Sequence, residues 1–149
     1  MLYFRRMARE AQLLLLSRFE NIELAEHLLG ELAAEVQLSE ETLYWAGMAL
    51  REAVANAIKH GNKLNPNKRV FVSLHVEPDV RLDIVVEDEG DGFDPALLTD
   101  PTRPENILRQ SGRGVFYMRR FMDKVSFRPA AGGGTRVELS KDLRVRRSL

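Results

Sequence analysis

Apolar residues recur at helical spacing in three stretches of the chain. Residues 22–36 place them three and four positions apart, which predicts an amphipathic helix. Ser39 is the expected N-cap of a second helix. We expect that helix to end near residues 60–62, where Gly61 suits a left-handed cap. A third helix is marked by three residues at the same spacing: Val115, Met118 and Met122.

Other stretches alternate apolar and polar residues or form short apolar runs, which is typical of strands. The predicted strands cover residues 12–19, 69–77, 82–86, 125–127 and 135–139. The second and third should form an antiparallel hairpin because their connection is short. Residues 88–112 show neither the helical spacing nor the strand alternation of apolar residues, which predicts a long irregular loop. Such a loop is usually functional or mobile. The pattern predicts an α+β two-layer sandwich, with three helices packed on one face of a mostly antiparallel mixed sheet.

Composition narrows the class of protein. The length of 149 residues predicts one domain, 1–149. Lys+Arg and Asp+Glu both count 22, so nothing electrostatic favours nucleic acid or an anionic membrane as a partner. The absence of cysteine excludes disulfides and thiolate chemistry and favours a cytoplasmic location. The N-terminal apolar run is too short and too charged for a signal peptide or a spanning helix.

The second helix carries polar residues beside its apolar stripe, in EAVANAIKHGN. Glu52 and Asn56 differ by about 40° around a helix axis, so both can face one cleft. An amide oxygen suits Mg²⁺, and a carboxylate can take a proton from an attacking hydroxyl. The alternative is a solvated helix face, with Glu52 flanked by Arg51 and Lys59. We expect His60 to make a structural hydrogen bond at the helix end.

A predicted strand runs directly into an acidic, glycine-rich turn, in VVEDEGDGF. Gly90 and Gly92 permit unusual backbone angles and carry no side chains, so a planar ligand can approach the backbone. Asp88, at the strand end, can accept a hydrogen bond from an exocyclic amine. An ordinary Gly/Asp-rich turn is an equally good interpretation of this motif alone.

A second pair of glycines precedes the third helix, in SGRGVFYMRRF. Gly112 and Gly114 would open that helix, and its free N–H groups can hold phosphate oxygens. Arg113 or Arg109 can add positive charge. A capping turn explains the motif equally well.

The last motif is GGGTRVEL, in which Gly134 precedes Thr135 at the start of the final predicted strand. The threonine hydroxyl can bond a base, but a glycine-rich hairpin turn is the simpler interpretation. The ordered set of four motifs is far more specific than any member. It resembles the N box and the glycine boxes of the GHKL (Bergerat-fold) ATPase and kinase superfamily. The match is closest to its RsbW/SpoIIAB-type anti-sigma-factor serine kinases and covers nearly the whole chain from about residue 12.

The resemblance implies an ATP site between the long helix and the 88–112 loop. Asn56 would coordinate Mg²⁺, and Glu52 would be the general base toward a partner's serine. Residues 94–111 would form a lid. The implied nucleotide-binding residues are Asn56, Asp88, Gly90, Gly92, Phe93, Gly112, Arg113, Gly114 and Thr135. Asp88 would read the adenine amino group, assisted by Thr135 through water. No GxxxxGK[ST] sequence occurs, so a P-loop site is excluded.

By the same resemblance, the partners would be a STAS-type antagonist protein, phosphorylated on serine, and a sequestered sigma factor, with a homodimer expected. An alternative is a binding module that switches partners in response to ATP without phosphotransfer. A histidine-kinase catalytic domain is disfavoured, because it needs a phosphoacceptor histidine on a dimerisation helix and His27 lies inside the first predicted helix.

Overall fold

The computed structural model describes residues 7–92 and 110–144, and for residues 110–114 and Tyr117 it describes the backbone alone. We number the helices and strands in chain order. They are β1 (Arg9–Leu16), α1 (Ile22–Val36), α2 (Glu40–Asn56), β2 (Arg69–Glu77), β3 (Arg81–Asp88), α3 (Gln110–Phe121), β4 (Lys124–Pro129) and β5 (Thr135–Asp142). A 3-10 turn, Phe19–Asn21, precedes α1, and a π-helical turn, Ala57–Gly61, continues α2.

The five strands form one open sheet in the order β1-β2-β3-β5-β4. All four pairings between the described strands are antiparallel. The predicted hairpin of β2 and β3 is confirmed, with Glu77 opposite Arg81 at its turn. The α+β fold class predicted from the sequence is therefore confirmed.

The core lies between the helices and one face of the sheet. Alternate side chains of β2 and β3 are completely buried on that face, as the period of a half-buried strand requires. These residues are Val70, Val72, Leu74, Val76, Leu82 and Ile84. Leu50 of α2 is also completely buried, and Leu29 of α1 is nearly so. On the other face of β1, Leu14 is 55% exposed.

The helix boundaries follow local chemistry. Helix α1 covers the predicted residues 22–36. Ser39 is the N-cap of α2, as predicted, because its side chain accepts a hydrogen bond from the Thr42 N–H at 3.1 Å. The ring of Trp45 in α2 stacks on that of Phe121 in α3, with 3.9 Å between centroids. This contact holds the third helix against the second.

The first strand begins and ends three residues earlier than the predicted range 12–19. The register pairs Arg9 with Val76 and Leu16 with Arg69, so the length of β2 determines where β1 ends. Ser17 then turns away from the strand. Its backbone N–H and its hydroxyl both donate to the carbonyl oxygen of Lys68, at 3.0 and 2.7 Å.

The end of α2 differs from the expected left-handed glycine cap. The α-helix ends at Asn56 and continues as the π-helical turn, in which the Asn62 N–H donates to the Ala57 carbonyl at 2.8 Å. Positive φ occurs at Lys63 and Leu64, whereas Gly61 does not have it. The expected cap is therefore wrong in its geometry, and Gly61 is required for another reason: the close approach of Asp88.

Candidate functional site

Asp88 is the last residue of β3, and its carboxylate is buried, with 8% of the residue exposed. Its Oδ1 atom accepts hydrogen bonds from the backbone N–H groups of Gly90, at 2.9 Å, and Thr135, at 3.1 Å. Its Oδ2 atom accepts no hydrogen bond from any residue that the structure describes. One half of the carboxylate is thus held by the protein, and the other half remains an acceptor for a ligand.

Three glycines surround Asp88 at distances that exclude any side chain. A β-carbon on Gly61 would overlap Oδ2, and one on Gly134 would overlap the Asp88 carbonyl oxygen. A β-carbon on Gly90 would overlap the carbonyl oxygen of Gly61. The end of α2, the end of β3 and the start of β5 therefore meet in close contact around Asp88, and glycine is required at each of the three positions.

Burial raises the pKa of the Asp88 carboxyl above its ordinary value of 3.8. The N–H groups of Gly90 and Thr135 oppose this shift, as does the positive charge of Lys68, whereas the charge of Glu87 adds to it. The desolvation of the carboxylate is the largest of these effects. A partly desolvated carboxylate oxygen without a protein donor favours a hydrogen-bond donor from a ligand.

The predicted Thr135 lies beside Asp88, at the first position of β5, and is 6% exposed. Gly92 has φ of 81°, a conformation that favours glycine. A β-carbon there would lie 3.2 Å from the carbonyl oxygen of Gly133, so the glycine turn after β3 packs against the turn before β5. The structure therefore brings Asp88, Gly90, Gly92, Gly134 and Thr135 together.

Glu52 and Asn56 occupy the last two turns of α2, one turn apart, and both are half-buried. The alternative interpretation of Glu52 was a solvated helix face on which Arg51 is its neighbour. The Arg51 guanidinium donates to Glu26 of α1, at 2.9 Å. Glu52 makes no ion pair with any residue in the described ranges. The π-helical turn leads directly from Asn56 to Gly61, which touches Asp88. The Asn56 amide and the Glu52 carboxylate thus lie on the helix whose π-helical continuation contacts Asp88.

Asn62 is a site residue to which the sequence assigned no role. It is completely buried, and its Oδ1 atom accepts a hydrogen bond from the Glu89 N–H at 2.8 Å. Its Nδ2 group donates to Ser17 Oγ at 2.7 Å and to the Arg69 carbonyl at 2.9 Å. The sequence offered one indication of this role, because Asn62 directly follows Gly61 at the end of the helix that carries Glu52 and Asn56.

Only some of the remaining predicted site residues fall within the described ranges. Phe93, Arg109 and most of the predicted lid, 94–111, lie outside the described residues. Gly112, Arg113 and Gly114 lie within α3, whose described part already begins at Gln110. Their roles at phosphate stay predictions. Within the described residues, no three His, Cys, Asp or Glu side chains are grouped as metal ligands, and no helix there has the length and apolar content of a membrane span.

The fold is an α+β sandwich with helices on one face of an antiparallel sheet, and the glycine contacts around Asp88 join three of its elements. The family described as histidine kinase-like ATPase domain matches residues 15–141. The anti-sigma F factor of Heyndrickxia coagulans is 32% identical over 147 residues, which cover 96% of this chain and 99% of the relative. That of Geobacillus thermodenitrificans is 34% identical, over 92% of this chain and 94% of the relative.

Two solved structures share the fold. A histidine kinase domain from the blue-light activated histidine kinase of Erythrobacter litoralis EL346 has a TM-score of 0.56 at 19% identity, and covers 79% of this chain and 60% of that one. The mycobacterial sensor histidine kinase MprB has a TM-score of 0.52 at 16% identity, over 93% and 99% of the two chains. The chain belongs to the histidine kinase-like (GHKL) ATPase family and, within it, to the anti-sigma-factor kinases.

Proposed function

We propose that this protein binds ATP with Mg²⁺ and transfers the γ-phosphoryl group to a serine of a STAS-type antagonist protein. The observation that carries the proposal is the Asp88 carboxylate, buried among glycines with Oδ1 occupied and Oδ2 available. A carboxylate in this state suits the amino group of adenine, because an amine donates hydrogen bonds and no other ring substituent of the base does. Membership in an ATPase family supports the same ligand.

The base would lie over the glycine turn after β3. Asp88 accepts from the exocyclic amine, and the hydroxyl of Thr135 assists through a water molecule. Gly90 and Gly92 would shape the base pocket through the turn that they form, and Phe93 would line it. These roles follow the resemblance, and the close packing around Asp88 supports them.

The phosphates would extend toward the edge of α2. Asn56 offers an amide oxygen to Mg²⁺, a hard cation that prefers oxygen ligands. By the resemblance, the N-terminal part of α3 with Gly112 and Gly114 would lie at the phosphates, where free N–H groups at the start of a helix can donate, and Arg113 would add positive charge. Phosphoryl transfer depends mainly on positioning and on neutralising charge, so few protein groups are required.

Glu52 is the proposed general base, one helical turn from Asn56. Its carboxylate makes no ion pair among the described residues, so it is free to accept the proton of an incoming serine hydroxyl. Once that proton has moved, the serine oxygen attacks the γ-phosphorus and the bond to the β-phosphate oxygen breaks.

The proposed partners are a sigma factor, held by this protein, and the STAS-type antagonist that it phosphorylates. The name anti-sigma F factor, which both relatives carry, supports the first of these partners. We further propose that residues 1–149 act as a single domain, as a homodimer, in the cytoplasm. Exposed Leu14 and Leu16 on the uncovered face of β1 support a protein contact on that side of the sheet.

The second candidate is an ATP-dependent binding module that switches partners without phosphotransfer. The family includes proteins whose shared property is nucleotide binding, so a pocket alone does not distinguish the two. The position of Glu52 favours the kinase, because it lies one helical turn from Asn56 on the helix that continues to the Asp88 contact.

Two measurements test the proposal. Calorimetry with MgATP should show binding, and the absence of any heat of association would contradict the whole account. Capture of partners with ATP or ADP present, followed by a search for phosphoserine, tests the transfer. The kinase is refuted in favour of the binding module if partners are captured and the wild-type protein never yields phosphoserine.

A further inference from the structure

We infer that Asn62 is a positioning residue for recognition of the base. Its side chain fixes the turn from Asp88 to Gly90 against the end of α2, so that the Asp88 carboxylate faces the adenine ring. The inference rests on the proposed ATP site and deepens it. Asn62 is completely buried, although asparagine is a residue type found mostly at protein surfaces.

The Asn62 amide uses both of its groups. The Nδ2 group has two N–H donors, and two acceptors lie within reach: Ser17 Oγ at 2.7 Å and the Arg69 carbonyl at 2.9 Å. The Oδ1 atom accepts from the Glu89 N–H at 2.8 Å. Aspartate at this position would lose both donors, and alanine would lose all three bonds.

These bonds form a closed ring across three segments. Asn62 donates to the Arg69 carbonyl, the Arg69 N–H donates to the Glu89 carboxylate at 2.6 Å, and the Glu89 N–H donates back to Asn62. The Arg69 guanidinium also bonds that carboxylate, at 3.0 Å. The ring joins the end of α2, the start of β2 and the end of β3. The Arg69–Glu89 bonds of the ring are exposed, whereas the Asn62 side chain at its centre is completely buried. Buried hydrogen bonds of this kind restrict the backbone groups that they join.

The ring lies directly beside the carboxylate that reads the base. Asn62 follows Gly61, and Glu89 follows Asp88, so the bond from Glu89 to Asn62 joins the two backbones where Gly61 touches Asp88. Glycine permits this close approach but cannot fix it, because glycine has the freest backbone. The Asn62 amide supplies the fixed distance.

A residue that only stabilises the fold would weaken binding of every nucleotide equally, through the unfolded fraction. A residue that positions Asp88 would instead change the discrimination between bases. Inosine triphosphate separates the two roles, since it has a keto oxygen where ATP has the amino group. The informative quantity is the ratio of the two dissociation constants, measured on folded protein.

The experiment measures this ratio by calorimetry for the wild type, Asn62→Ala and Ser17→Ala. The wild type should prefer ATP by roughly tenfold or more, as expected for a hydrogen bond to a charged acceptor. In Asn62→Ala the preference should fall to within about threefold of equality. Ser17→Ala removes one acceptor of the Asn62 amide and should lower the ratio less. It keeps the test valid if Asn62→Ala does not fold.

Asn65→Ala is the matched control, because Asn65 is an exposed asparagine in the same loop whose side chain accepts from the nearby Asn67 N–H. It should keep the wild-type ratio. A wild type that discriminates, together with Asn62→Ala and Ser17→Ala variants that retain the full ratio, overturns the inference alone. A wild type that does not bind ATP overturns the proposed function itself.

Discussion

Gly61 and Asp88 lie so close together that a β-carbon on the glycine would occupy the position of the aspartate Oδ2 atom. The two residues belong to different elements, the π-helical turn after α2 and the end of β3. The helix that carries Glu52 and Asn56 is therefore in direct contact with the proposed base-reading carboxylate. Through this contact, the helix motif that ends at Gly61 and the glycine-rich turn after Asp88 lie side by side, although they are widely separated in the chain.

The first prediction concerns that contact. Gly61→Ala should force the Asp88 carboxylate to move, lowering the free energy of unfolding by about 1–3 kcal/mol and the affinity for ATP at least about tenfold. Gly30→Ala is the control, because the residue is inside α1 and a β-carbon there would meet no described atom within 4 Å apart from the neighbouring backbone of its own helix. That change should raise stability by about 0.5–1 kcal/mol. Equal effects of the two substitutions on ATP binding would contradict the prediction.

The second prediction is a change of base preference. In Asp88→Asn, the amide oxygen can still accept from Gly90 and Thr135, which places the NH₂ group where the carboxylate has Oδ2. A donor then faces the adenine amine, and ATP should bind roughly tenfold or more weakly. Inosine triphosphate, with a keto oxygen there, should bind better than ATP.

Asp83→Asn is the matched control for this change, because Asp83 lies in the same strand and pairs with Arg81 away from the pocket. Competition between the two nucleotides, measured by calorimetry, gives the preference directly. If Asp88→Asn retains a preference for ATP, Asp88 is not the residue that reads the base.

The third prediction is a pH dependence of stability. Burial raises the pKa of Asp88 in the folded protein above 3.8, so between the two pKa values the folded state binds more protons than the unfolded state. Stability from this group therefore falls as pH rises through that window. Asp88→Asn removes the titrating group. The melting temperature of this variant minus that of the wild type should therefore increase as pH rises through the window and become constant above it. A difference that is constant across that pH range would exclude this origin.

Sequence periodicity was sufficient for the elements whose ends are determined locally. Helix α1 covers the predicted residues, and the serine cap of α2 is where the sequence placed it, because both depend on side chains within one or two turns. Strand β2 also covers its predicted range, 69–77. Strand β1 does not, since its ends depend on pairing with β2, and pairing cannot be seen in the leucine run itself.

The motifs contain residues that meet around Asp88, but they do not show which contacts hold these residues together. Gly61 was assigned to a helix cap, because a glycine after a helix is usually one, whereas here it allows Asp88 to approach. The contribution of Asn62 depends on Ser17, Arg69 and Glu89, which are distant from one another in sequence. A π-helical turn has no distinct pattern of apolar residues, so it could not be predicted either.

The fourth prediction uses the single tryptophan as a reporter of helix packing. Trp45 stacks on Phe121, so Phe121→Ala should expose the indole, shift its emission to longer wavelength and lower the free energy of unfolding by about 1–3 kcal/mol. Phe19→Ala is the control, because Phe19 is 49% exposed. Its effect should be within about 0.5 kcal/mol. An unchanged emission maximum in Phe121→Ala would mean that the stack is absent in solution.

The last prediction separates binding from chemistry at Glu52. Glu52→Gln keeps the shape of the side chain and removes its basicity, so phosphoserine formation on a captured antagonist should fall by about 10²–10⁴-fold. The dissociation constant for MgATP should stay within about threefold, because Asp88 and the glycine turn are untouched. Glu41→Gln, an exposed position in the first turn of the same helix, should leave both quantities unchanged. If Glu52→Gln transfers phosphate at the wild-type rate, the proton has another acceptor; if it loses ATP binding in parallel, Glu52 holds the nucleotide rather than acting as the base.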